Sequence, residues 1–138
     1  MKFIPVIRLV PALLAIGVGM PALAADIAVK LTGDQEVPAV ASAATGVGTI
    51  VIKNDHSVSG SIKTTGIEGT VAHIHLAEPG KNGPPIITLT KSADNSWSVP
   101  PGAKLTDDQY KSFKEGNLYV NVHSAEHKGG EIRTQLKP

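Results

Sequence analysis

Apolar and polar residues alternate with a period of two through a series of short runs from residue 27 onward. IAVKLT (27–32), GVGTIVIK (46–53), SVSGSIKT (57–64), TVAHIHLA (70–77), PIITLT (85–90), LYVNVH (118–123) and EIRTQL (131–136) are rich in Val, Ile and Thr. Gly, Pro, Asn and Asp punctuate them. The pattern predicts an all-β domain, an antiparallel sandwich or barrel. KNDHS (53–57) reads as a hairpin turn, and SWSV (96–99) as a further short strand. LTDDQYKSFKEGN breaks the alternation: Thr106 and Gln109 are spaced as a capping box, with Leu105 and Tyr110 as its hydrophobic staple. Asp107 and Asp108 suit the positive start of a helix, and Gly116 suits its end. One short helix over 107–115 follows. DQEVPAVASAAT (34–45), with Pro38 and its small residues, reads as an extended segment along a sheet edge.

Side chains alternate across a strand, so each run also assigns faces. In 71–76, Ala72, Ile74 and Leu76 turn to the core, and Val71, His73 and His75 share the opposite face. In 118–123, Leu118, Val120 and Val122 point inward, and Tyr119, Asn121 and His123 outward. In 131–136, Ile132 and Leu136 are inward, and Glu131, Arg133 and Gln135 outward. Three strands thus carry a polar outer face, and it is there that His73, His75 and His123 fall.

The first 24 residues follow a different rule. Lys2 and Arg8 precede an apolar stretch from Leu9 to Met20, and Ala22-Leu23-Ala24 closes the segment. This is the layout of a secretory signal, and the clean apolar stretch falls short of the roughly 20 residues a membrane helix needs. The expectation is a cleaved signal peptide over 1–24, a single domain over 25–138, export to the periplasm or beyond, and no membrane attachment after cleavage. Lys2 and Arg8 take two of thirteen basic residues with them, leaving eleven against twelve acidic ones. A near-neutral chain gives no support for nucleic-acid binding. Both Met residues lie in the signal, and the chain has no Cys. Disulfides and soft sulfur metal sites are therefore excluded, while all five His remain.

Two His on one strand face can reach a single ion through nitrogen–metal bonds of about 2.0–2.1 Å. His123 is the natural third ligand because its face matches, and His127, in the loop SAEHKGGE, is a candidate fourth. Glu36, Glu78, Asn121 and Glu131 are candidate oxygen ligands or outer partners that fix the tautomer of a His, and Arg133 reads as one half of a sheet-face ion pair. Three uses of the His face stand open: metal binding, a structural polar network, and acid–base catalysis. His56, in the predicted turn, is expected to face solvent, and Trp97 and Phe113 to pack in the core.

LTGDQEVPAV (31–40), GVGTI (46–50), AHIHLAEPGKNGPPI (72–86), LTDDQYKSFKEGNLYVNVHS (105–124) and GGEIRTQL (129–136) resemble, in order, the CHRD domain, named for chordin and found in exported bacterial proteins. The resemblance spans nearly all of 25–138. It implies a β-sandwich or barrel of immunoglobulin-like or superoxide-dismutase-like type, and it brings no established activity. His73, His75, His123, Glu36, Asn121, Gly130, Glu131 and Arg133 lie inside the family motifs, whereas His127 does not. The His-x-His strand with a distant His is also similar to the copper half of a copper/zinc superoxide dismutase. That enzyme's bridging His, zinc cluster and disulfide are missing, so dismutase activity is not expected. The leading expectation is an exported protein holding a divalent transition metal, copper in preference to zinc, on a surface His cluster, for buffering or delivery. The alternative is a non-catalytic module that binds a protein partner, with structural His residues and no cofactor. A metal-dependent enzyme is the third reading, disfavoured because no evident general base stands beside the His apart from Glu36 or Glu131.

Overall fold

A computed structural model describes Gly17 and residues 25–138. The segment read as a signal peptide, 1–24, otherwise lies outside the described residues. Nine strands form one antiparallel sheet: β1 (Ala25–Thr32), β2 (Thr45–Ile52), β3 (Val58–Thr65), β4 (Gly69–Leu76), β5 (Pro85–Thr88), β6 (Thr90–Ala93), β7 (Ser96–Ser98), β8 (Leu118–Ser124) and β9 (Ile132–Leu136). Their spatial order is β5-β4-β8-β9-β1-β2-β3-β7-β6. The two edge strands, β5 and β6, are consecutive in the chain and separated only by Leu89. Leu89 donates its N–H to the carbonyl of Ala72 on β4, and Lys91 on β6 reaches the Gly69 carbonyl. The chain thereby carries one edge of the sheet round to the other, and the sheet becomes a nearly closed barrel. Among the described residues no helix is long and apolar enough to cross a membrane.

The inward set matches the alternation. Val29, Leu31, Ile50, Ile62, Ala72, Ile74, Leu118, Val120, Val122, Ile132 and Leu136 are all buried in one cluster, joined by Trp97 and Phe113. Their burial, at about 25 cal/mol per Å2 of apolar surface, is the principal term holding the barrel closed. The helix α1 (Asp107–Lys114) forms with both halves of its capping box in place. Its Phe113 seals the barrel beneath it.

Three expectations change. The run 85–90 is not one strand: it ends at Thr88, and β6 begins at Thr90 as a separate edge. Residues 34–45 do not follow a sheet edge. After a 3-10 turn over Gly33–Gln35, the segment crosses the outer face of β8 and β9, where Glu36 meets Asn121 and Ser42 meets Glu131. His56 stacks on Tyr110, with centroids 4.2 Å apart, and its Nδ1 lies 3.3 Å from Asp107, so the turn is pinned to the helix.

Candidate metal site

Strand register assembles the site. On β4 and β8, Val71 pairs with His123, His73 with Asn121, and His75 with Tyr119; on β8 and β9, Asn121 pairs with Arg133. With β4 beside β8, side chains at positions of equal parity share a face. Two neighbouring strands therefore place His73, His75 and His123 in one cluster. One ligand nitrogen from each lies within 4.8 Å of the other two. His73 Nδ1 and His123 Nε2 are 3.2 Å apart, the separation that bonds of about 2 Å to a shared ion impose.

Hydrogen bonds to main-chain carbonyls fix the tautomers of two of these rings. His75 Nδ1 is 2.9 Å from the Gly83 carbonyl, and His123 Nδ1 is 2.8 Å from that of Lys128. A carbonyl only accepts, so both Nδ1 atoms carry hydrogen, and each neutral ring presents its lone pair at Nε2. This arrangement, one ring nitrogen tied to an outer carbonyl and the other turned to the cluster, is the one metal-ligating His residues adopt. His75 Nε2 is buried with no hydrogen-bond partner among the described residues, an unmet acceptor of the kind that needs an explanation.

The site also disfavours the protonated form of His73 and His75. The His73 pKa is lowered by burial and then by the neighbouring His123 and His75. Burial lowers that of His75 as well, outweighing the Gly83 hydrogen bond, which favours the protonated ring. Neutral imidazole is the ligand form.

The face is not an exposed one. Every residue of β8 is buried, and His75 and His123 are only 7% and 8% exposed, because loops cover the strands. The expectation of a surface cluster is corrected accordingly: alternation identifies the face but not its cover. The loop 77–84 supplies one lid. Gly83 N–H donates to the Tyr119 hydroxyl, and a Cβ at Gly83 would collide with the Leu76 carbonyl at 1.8 Å. This close approach, beside a bulge at Ile74/His75, brings the Gly83 carbonyl onto His75. The loop 125–131 supplies the second lid through Lys128 and Gly129, whose carbonyls accept from His123 and Asn121.

Arg133 ties the lids to the strands. It is 2% exposed and donates to Asn82 Oδ1 and the Lys81 carbonyl. Its guanidinium lies 3.4 Å above the Tyr119 ring, which stacks in turn on His75. No carboxylate lies within ion-pair distance of it among the described residues, so the expected sheet-face ion pair gives way to a stacked guanidinium bonded to the loop. Glu36 accepts weakly from Asn121, at 3.4 Å. Burial pushes its pKa up to about 7, against the opposing pull of Asn121, Arg133 and His127. Glu131 takes hydrogen bonds from Ser42 and Ser124, both at 2.8 Å, and so braces the crossing segment against β8.

Of the predicted ligands, His73, His75 and His123 converge. His127 instead groups with Glu126 and Glu131, its backbone closing the turn back to Ser124 and Gly130. Tyr119 and Gly83 join the site only through the folded structure. Tyr119 stands on the same strand face as Asn121 and His123, which is a readable signal; the position of Gly83 depends on a loop path that has no local signature.

A barrel-like antiparallel β domain with a largely buried three-His cluster, His73 its most open member, is thus the class that fold and site define. The chain belongs to the CHRD family, whose model, the CHRD domain, matches residues 27–136; such domains are of extracellular type. No curated protein matches the chain, and no solved structure does.

Proposed function

We propose that this protein is an exported metal-binding protein that holds one divalent transition metal, copper in preference to zinc, through His73, His75 and His123. Its role on this reading is buffering or delivery outside the cytoplasm. The observation that carries it is the set of three ligand nitrogens within 4.8 Å of one another, with the Nδ1 atoms of two rings tied to main-chain carbonyls so that Nε2 is the free lone pair. Copper leads the affinity order for nitrogen ligands, and the chain has no thiolate to favour a softer ion. Equilibrium dialysis of the purified protein against Cu(II) and Zn(II) tests it. One equivalent should bind with submicromolar affinity, copper more tightly. Alanine at His73, His75 or His123 should cost more than the 10–100-fold that loss of an outer partner costs, whereas alanine at His127 should leave the affinity unchanged. Binding no tighter than micromolar would sink the proposal.

The second reading, a module that binds a protein partner through the polar face of the sheet, draws its support from the extracellular character of the family. The burial of β8 beneath the chain's own loops weighs against it, since a partner would have to displace them.

A further inference from the structure

Asn121 carries a second unmet acceptor beside the first. It is 1% exposed and stands directly across from His73 in the β4–β8 register. Its amide orientation is fixed from behind: Nδ2 donates to Glu36 Oε1 and to the Gly129 carbonyl, both at 3.4 Å. Both of those atoms accept, so the NH2 end must face them. Oδ1 then points the other way, and it is buried with no hydrogen-bond partner among the described residues. His75 Nε2 is in the same condition, and His75 lies two residues along β4 from His73, on the same face of the strand. Two buried acceptors on one small surface require a cation, a donor, or both between them. Three imidazoles fill three positions of a four-coordinate ion, and a site of this kind keeps the fourth for solvent.

We infer that the fourth position of the ion holds an exchangeable water whose hydrogen is accepted by Asn121 Oδ1, so that the site is open to small monodentate ligands. This rests on the metal reading above. It also sets a selectivity. An acceptor oxygen stabilises a neutral ligand that can donate, such as water, and repels an anion that cannot, such as azide. Asn121 therefore holds water in place and disfavours anionic competitors.

The test uses the Cu(II)-loaded protein with azide as probe, followed by the azide-to-copper charge-transfer absorption. Pulsed EPR in H2O and D2O runs alongside it to detect exchangeable protons on a copper ligand. The wild-type protein should show a strongly coupled exchangeable proton that azide removes. In Asn121→Ala, azide should bind at least about fivefold more tightly, the size of effect one hydrogen bond supplies. If copper binds but neither an azide band nor an exchangeable proton is seen, the open position is refuted and the three-His site stands. An azide affinity unchanged in the folded variant refutes the role of Asn121. Failure of the wild-type protein to bind copper overturns both readings together.

Discussion

Tyr119 and His75 lie face to face, ring centroids 4.6 Å apart and planes within 5°, on neighbouring strands in direct register. The far side of the Tyr119 ring carries the Arg133 guanidinium. One aromatic side chain thus sets the plane of a candidate ligand and, through its hydroxyl, the loop whose carbonyl fixes that ligand's tautomer. Removing the ring should loosen His75 without touching the metal. Tyr119→Ala should weaken copper binding by about 10–100-fold, as loss of outer-shell support does. Tyr119→Phe keeps the stack and should retain most of the affinity. Isothermal titration of both variants decides this, and equal affinities would remove Tyr119 from the site.

Arg133→Lys tests the same stack from its other end. A lysine cannot reproduce the planar fork that reaches Asn82 Oδ1 and the Lys81 carbonyl while lying flat on Tyr119. The part-buried bonds to the loop would lose their charged donor, a loss of about 1.5–3 kcal/mol. Urea denaturation should show a lower midpoint at unchanged m-value. A midpoint equal to wild type would mean that the loop 77–84 holds without its arginine.

Gly130 turns the loop over the Glu36–Asn121 pair at φ +123. A Cβ there would stand 2.4 Å from both Asn121 Nδ2 and Glu36 Oε1. Gly130→Ala should cost about 1–3 kcal/mol from the backbone conformation alone, with the clash added to it. It should also displace the Lys128 carbonyl from His123, so copper affinity should fall together with stability. Gly129→Ala, with open space around it, is the matched control. Similar melting temperatures for the two variants would contradict this account of the turn.

The residues that could be read from the sequence are those whose position follows from strand parity. His73, His75, Asn121, His123 and Arg133 share one face because a period of two leaves no alternative once Ile74, Val122 and Ile132 are inside. Thr106 and Gln109 announced the helix because a capping box is local. What parity could not supply is what lies above the face. That β8 is buried on both sides depends on residues 36–44, 77–84 and 125–131 folding over it. These paths are fixed by long-range hydrogen bonds such as Ser42 to Glu131 and Arg133 to Asn82. Closeness in sequence to His123 makes His127 a candidate ligand, but loop geometry groups it with Glu126 and Glu131 instead. Arg133 was expected to pair with a carboxylate; a buried guanidinium was served equally by an amide oxygen, a carbonyl and an aromatic face.

Copper affinity should depend on pH in a way set by the His pair. The pKa values of His73 and His75 are both lowered from 6.5, chiefly by burial. Protons therefore compete with the metal only below about 6.5, and affinity should be flat from pH 8 to about 6.5 before falling with further acid. Competition titrations against a copper chelator across this range measure it. A decline that already sets in between pH 8 and 7 would mean that the rings are protonated more readily than their burial allows.

The metal-free protein should reveal Glu36 through the pH dependence of its stability. Its pKa is raised from 4.5 to about 7 by burial, so between those values the folded state holds a proton that the unfolded chain releases. Stability from this group is present below 4.5 and is lost as pH rises toward 7. His73 and His75 act in the opposite sense: their lowered pKa values mean that the unfolded chain binds protons first as pH falls below 6.5, so their contribution is lost on acidification. The two opposing slopes flatten the wild-type profile. Glu36→Gln leaves an amide oxygen to accept from Asn121 and removes the ionisation, so the variant should gain stability relative to wild type from pH 5 to about pH 7 and level off above it. Urea midpoints at pH 5, 6, 7 and 8 for the two proteins measure the difference. A constant difference across that range would mean that Glu36 ionises at its ordinary pKa and that its burial exacts no electrostatic cost.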